Sequence, residues 1–137
     1  MDLSKFNVSV MAEKGADMIL EHPATGDPLE QENGDPVVIT LLGMDSKAYR
    51  EKNRDFQRER IAKMARNRKK TIDYTMSDED ACELLAACTK GWSGIDADGK
   101  PLEFSKEAAY DLYMENNWIR EQADVFIGDR ANFFTSA

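Results

Sequence analysis

Long apolar runs are missing from this chain of 137 residues. No stretch approaches the roughly 18 consecutive apolar residues of a membrane span. The opening Met1-Asp2-Leu3-Ser4-Lys5 lacks the charged-then-apolar order of a secretion signal. The expectation is a protein that stays in the cytoplasm where it is made, with no membrane partner. Histidine and cysteine are almost as scarce. His22 is the single histidine, set in a turn beside Pro23, far from either cysteine and from any repeated serine motif, so no nucleophile-base constellation can be assembled. Cys82 and Cys88 sit six positions apart in an apparent helix, about 120° apart around the axis and about 9 Å along it. They cannot pair there, and they read as small apolar packing residues in a reducing compartment. One histidine and two divergent cysteines do not make a tetrahedral zinc set. The expectation is a protein that is not an enzyme and uses no metal and no cofactor.

Two further motifs fail on inspection. Asp96-Ala97-Asp98-Gly99 has the start of a calcium loop, but placing Gly99 at the sixth loop position puts Gly94 at the first and Ser105 at the twelfth, where carboxylates are required. A turn between helices is the better account. Gly91-Trp92-Ser93-Gly94 lacks the lysine and the preceding strand of a phosphate-binding loop.

What the chain does have is charge, unevenly spread. The formal charge is -8, with a pI near 4.7, which opposes general affinity for nucleic acid. Yet residues 47–70 hold 11 of the 18 Lys and Arg residues against three acidic ones, a net of +8 that leaves -16 for the rest. No aromatic platform for bases is interleaved in that basic stretch, so a nucleic-acid-binding regulator working through residues 47–70 is the minority reading. A solvated helix face, or docking on an acidic partner or on a second copy of the chain, accounts for the run more simply. Arg54, Arg58, Arg66 and Arg68 are its candidate contact residues.

The fold expected is α+β and mainly α, in three stretches that make one folding unit. Residues 1–45 form an N-terminal arm and a β-hairpin. Weak alternation at Phe6, Val8 and Val10 suggests an extended arm or edge strand. The runs Ala16 to Pro23 and Val37 to Leu42 are strands around a loop rich in Gly and Pro. Residues 46–72 form one long basic helix that Asp45 or Ser46 can cap, its apolar stripe thinned to Tyr49, Phe56, Ile61, Met64 and Ala65. Residues 75–137 are a compact bundle of three short helices. Ser77 and Asp80 resemble a capping box, with Ala81, Leu84, Leu85 and Cys88 buried before Gly91 stops the helix. Trp92 to Glu103 reads as loop. Ser105 caps the next helix with Phe104 as a staple and Ala108, Ala109, Leu112 and Tyr113 inward, and Asn116 or Asn117 caps the last, with Ile119, Ala123, Phe126, Ile127 and Phe133 on one face.

Aromatic residues crowd the last third, and most belong in the core of so small a domain. Trp92, Trp118, Phe133 and Phe134 are the candidates for contact with a partner, Phe133 and Phe134 above all because they lie near a chain end.

The order of elements resembles the small tail assembly chaperones of long-tailed, siphovirus-like bacteriophages. The residues that carry the likeness are Gly34-Asp35-Pro36-Val37-Val38-Ile39 running to Gly43-Met44-Asp45-Ser46 with a charged helix after it. Lys90-Gly91-Trp92-Ser93-Gly94-Ile95, Asp98-Gly99-Lys100-Pro101 and Phe104-Ser105 follow, and then the helix from Trp118 to Phe134. The resemblance implies a non-enzymatic late protein in the host cytoplasm. Such a protein binds the tape measure protein, keeps it soluble and helps recruit the tail tube protein before leaving the finished tail. A virion structural protein retained in the particle, as a minor tail, connector or baseplate component, is the alternative, with the virion tail as its location.

Overall fold

The β-branched run around Ile39 organises the molecule. In the computed structural model, which describes residues 1–66 and 76–134, β1 (Ala16–Ile19) and β2 (Val38–Leu41) pair antiparallel. Ala16 lies opposite Leu41 and Ile19 opposite Val38, so the expected hairpin is present. The twofold side-chain period of a strand sends Met18, Ile39 and Leu41 inward, all buried. Two strands would be marginal alone. A third, β3 (Thr89–Ser93), pairs antiparallel with the other side of β2, with an irregularity between Thr40 and Leu41.

That third strand corrects the reading of Trp92 to Glu103 as loop and of Gly91 as a helix stop. The helix before it, α3 (Asp78–Ala87), ends with Cys88 as its C-cap. The segment that follows is a strand because β2 offers it an open edge, a long-range partner that local propensity does not reveal. The rest of the supposed loop holds a small second hairpin, β4 (Asp96–Ala97) with β5 (Lys100–Pro101). Its two-residue turn is Asp98-Gly99, with φ of 54° and 78°, the pair of left-handed conformations that a type I′ turn demands.

A second correction concerns the N-terminus. Phe6, Val8 and Val10 alternate but do not form a strand. Residues Leu3–Phe6 make a 3-10 turn and α1 (Val8–Lys14) is a helix, with the Asn7 side chain accepting from the Val10 N–H at 3.2 Å. Helical spacing turns Ala12 inward, where its carbonyl accepts from the Gly43 N–H at 3.2 Å.

The long basic helix is present as α2 (Lys47–Arg66). Ser46 provides the cap, its hydroxyl accepting from the Tyr49 N–H at 3.3 Å. Phe56 is its one buried residue, as the thin apolar stripe implies. The expected continuation to residue 72, including Arg68, lies outside the described residues.

The C-terminal helices follow their caps. Ser77 accepts from the Asp80 N–H at 3.2 Å, and Ser105 accepts from the Ala108 N–H at 2.9 Å to start α4 (Lys106–Glu115). α5 (Asn117–Gly128) has Asn116 at the cap position. That side chain instead donates back to the Leu112 carbonyl at 3.0 Å. α6 (Ala131–Phe134) closes the described chain. One core joins Met18, Ile39 and Leu41 of the sheet to Leu85, Leu112, Tyr113, Ile119, Ala123 and Ile127 of the helices. Inside it, the Thr89 hydroxyl donates to the Leu85 carbonyl at 2.8 Å and lies 2.7 Å from the Tyr113 hydroxyl. The Lys106 ammonium donates to the carbonyls of Ala87 and Thr89 at 3.2 and 2.7 Å, a cation at the C-terminal end of α3.

Candidate protein-binding groove

A helix can serve two neighbours if its sequence carries two stripes. α5 does so. Ile119, Ala123 and Ile127, four apart, are buried in the core. Trp118, Gln122 and Val125, with Glu121, Phe126 and Asp129 beside them, form a second stripe that faces the loop end of β1 across an open groove of about 740 Å³. The opposite wall is Asp17, Met18, Ile19, Glu21, His22 and Pro23.

The groove has an apolar floor and an acidic rim. Ile19 is 47% exposed and Val125 74% exposed, with the half-buried rings of Trp118 and Phe126 between them. Burying such side chains against a partner releases about 25 cal/mol for each Å² of apolar surface removed from water. Asp17, Glu21, Glu121 and Asp129 surround this floor, and among the described residues no lysine or arginine lines it. His22 lies at one end. Its Nδ1 accepts from the N–H groups of Ala24 and Thr25 at 3.0 and 3.3 Å, which fixes the ring in its own turn.

Gln122 ties the two walls together. Its amide donates to the Glu21 carbonyl and accepts from the Glu21 N–H, both at 2.9 Å. A side chain thus takes the hydrogen-bonding place that a neighbouring strand would hold.

Of the described residues singled out from sequence as partner contacts, only Trp118 lines this groove. Arg54, Arg58 and Arg66 project along α2, with Arg58 paired loosely to Asp55 at 3.9 Å. Trp92 is structural, its indole N–H donating to the Leu102 carbonyl at 2.8 Å and its ring meeting Phe104 edge-on at 5.0 Å. Phe133 is 3% exposed and stacks edge-on against Phe126 at 5.6 Å, so it is a core residue and its ring is not presented to a partner. Phe134, 39% exposed, does face outward. These residues do not converge on one place. Ile19, Gln122 and Val125 escaped the sequence reading. The available signal was the second stripe at Trp118, Gln122 and Val125, spaced by four and then three.

Among the described residues no group of three or more His, Cys, Asp or Glu side chains could hold a metal ion. No helix among them is long and apolar enough to cross a membrane. Cys82 and Cys88 are buried, and burial pushes the Cys88 thiol up to about 12, well away from reactivity at neutral pH.

A family model described as YdaY prophage protein matches residues 44–130, more than half of the chain. The match takes in α2 to α5, including the α5 wall of the groove, while β1 and β2 precede it. Neither the curated proteins nor the solved structures supply a match.

Proposed function

The chain belongs to the YdaY prophage protein family, and from that premise we propose that it is a non-enzymatic tail assembly chaperone. In this reading it binds the tape measure protein in the host cytoplasm, keeps its apolar segments soluble and helps recruit tail tube subunits. It then leaves the finished tail. The observation that supports a binding role is the groove itself: Ile19, Trp118, Val125 and Phe126 give an otherwise acidic protein a concave apolar surface. The order of elements from Gly34 to Phe134, similar to that of phage tail chaperones, supports the choice of partner.

The test is to purify the protein from induced lysogens and, in parallel, to analyse washed virions by mass spectrometry. The expected result is recovery of the tape measure protein with it and its absence from particles. Stoichiometric copies in washed virions would overturn the chaperone role in favour of a structural component of the tail.

A further inference from the structure

We propose that the groove takes an extended segment of its partner by strand addition to β1, and that this segment alternates lysine or arginine with apolar residues. The proposal rests on the groove being the protein-binding surface, but not on the identity of the tape measure protein as partner.

The phase of the sheet carries the argument. In an antiparallel pair, opposed residues alternate between those that exchange backbone hydrogen bonds and those that do not. The Leu20 N–H donates to the Val37 carbonyl at 2.9 Å, directly in register with the β1–β2 pairing. Ala16, Met18 and Leu20 therefore turn their backbone groups toward β2. Asp17, Ile19 and Glu21 turn theirs the other way, off the free edge, since the sheet order is β1-β2-β3. Gln122 confirms the phase at Glu21, where its amide occupies both the N–H and the C=O. The next two places along the same edge belong to Ile19 and Asp17, and both line the groove.

This geometry selects among occupants. A helix laid in the groove would cover the outward N–H and C=O of Ile19 and Asp17 without bonding them, and each buried group left unsatisfied opposes binding. A strand would pair them, continuing the row that Gln122 begins. Every second side chain of that strand would meet the floor of Trp118, Val125 and Phe126. A second copy of β1 is disfavoured by charge, because it would bring Asp17 and Glu21 against the same carboxylates. Four acidic residues, with no lysine or arginine lining the groove among the described residues, call for a cationic segment. The short edge and its carboxylates also guard against pairing with acidic chains.

Three kinds of synthetic peptide test this on the intact protein. One alternates lysine with valine. The second is the same peptide made in two forms, N-methylated at either set of alternate backbone nitrogens. The third has glutamate for lysine. Trp118 fluorescence reports occupancy, and amide hydrogen exchange followed by NMR reports the Asp17 and Ile19 N–H groups. The lysine peptide is expected to bind and to slow exchange at both amides by about tenfold or more, which corresponds to about 1.4 kcal/mol or more of protection. One N-methylated form should lose at least about tenfold in affinity, the glutamate peptide should not bind, and Glu121→Gln with Asp129→Asn should weaken binding without changing the melting temperature by more than a few degrees. Equal binding of both N-methylated forms, with exchange at Asp17 and Ile19 unchanged, would overturn strand addition while leaving the groove as a binding surface. No response from Trp118 to any peptide would overturn the groove reading as well.

Discussion

Arg130 grips Asp45 with two hydrogen bonds, Nε to Oδ2 at 2.6 Å and Nη2 to Oδ1 at 2.9 Å, fastening the end of α5 to the entry of α2. The hydrogen bonds from Arg130 hold the Asp45 carboxyl below its ordinary value of 3.8. A carboxylate whose folded pKa is depressed contributes its full stabilisation above the unfolded value and loses it as pH falls through the lower folded one. With the Arg130 side chain 55% exposed, screening limits the contribution to about 0.5–1 kcal/mol. Asp45→Asn should therefore lower stability by about that amount at pH 7, and the gap should narrow progressively as pH falls below 3.8, as read by urea denaturation over that range.

The Thr89 and Tyr113 hydroxyls should prove unequal. Thr89 donates to the Leu85 carbonyl, so Tyr113 is the donor in the bond between the two hydroxyls. Tyr113→Phe removes that donor and leaves Thr89 bonded to Leu85, at about 1 kcal/mol. Thr89→Val strands a buried phenol with no acceptor and should lose about 1–3 kcal/mol. Chemical denaturation showing Tyr113→Phe to be the worse of the two would refute this ordering.

Adjacent phenylalanines on α6 should respond in opposite ways. Phe133→Ala empties a core site and is expected to lose about 3–5 kcal/mol, whereas Phe134→Ala should stay within about 0.5 kcal/mol. Gly43→Ala probes the same corner from the other side. Its new methyl would sit 2.9 Å from the Ala12 Cβ and 3.2 Å from the Phe133 ring, and overpacking of this kind loses about 1–3 kcal/mol. Thermal melts of the three variants check the set.

Both thiols should label slowly. Cys82 and Cys88 are fully buried, and burial raises each thiol, Cys88 to about 12. Alkylation at pH 8 is expected to follow the opening of the fold, so that the rate rises with urea in step with unfolding. Rapid labelling of the folded protein would contradict the packing of both residues.

Local chemistry in the sequence reached as far as local interactions decide the structure. Ser77 and Ser105 announce their helices because a hydroxyl three residues before an N–H is a complete cap in itself. The hairpin of β1 and β2 is legible for a similar reason, with β-branched residues on one side of a loop rich in Gly and Pro. β3 is not legible, because Gly91 weakens a strand locally and only the distant edge of β2 rescues it. Asp98-Gly99 did carry a hairpin signal, masked by its likeness to a calcium loop. α1 misled through its alternation, since its seven residues rely on the Asn7 cap and on packing against α6. The groove joins Glu21 to Gln122, 101 positions apart, and no sequence window contains both walls.

The central place of β2 has a consequence for how the protein comes into being at the ribosome. Its two neighbours are β1, made earlier, and β3, made only after α2 and α3 have been synthesised. The emerging hairpin must therefore wait, with Ile39 and Leu41 uncovered, until β3 and the helices beyond it arrive. Gln122 is later still, so the groove between β1 and α5 comes into existence only once α5 has been made. Its two walls cannot meet while the chain is still being extended through α2, α3 and α4.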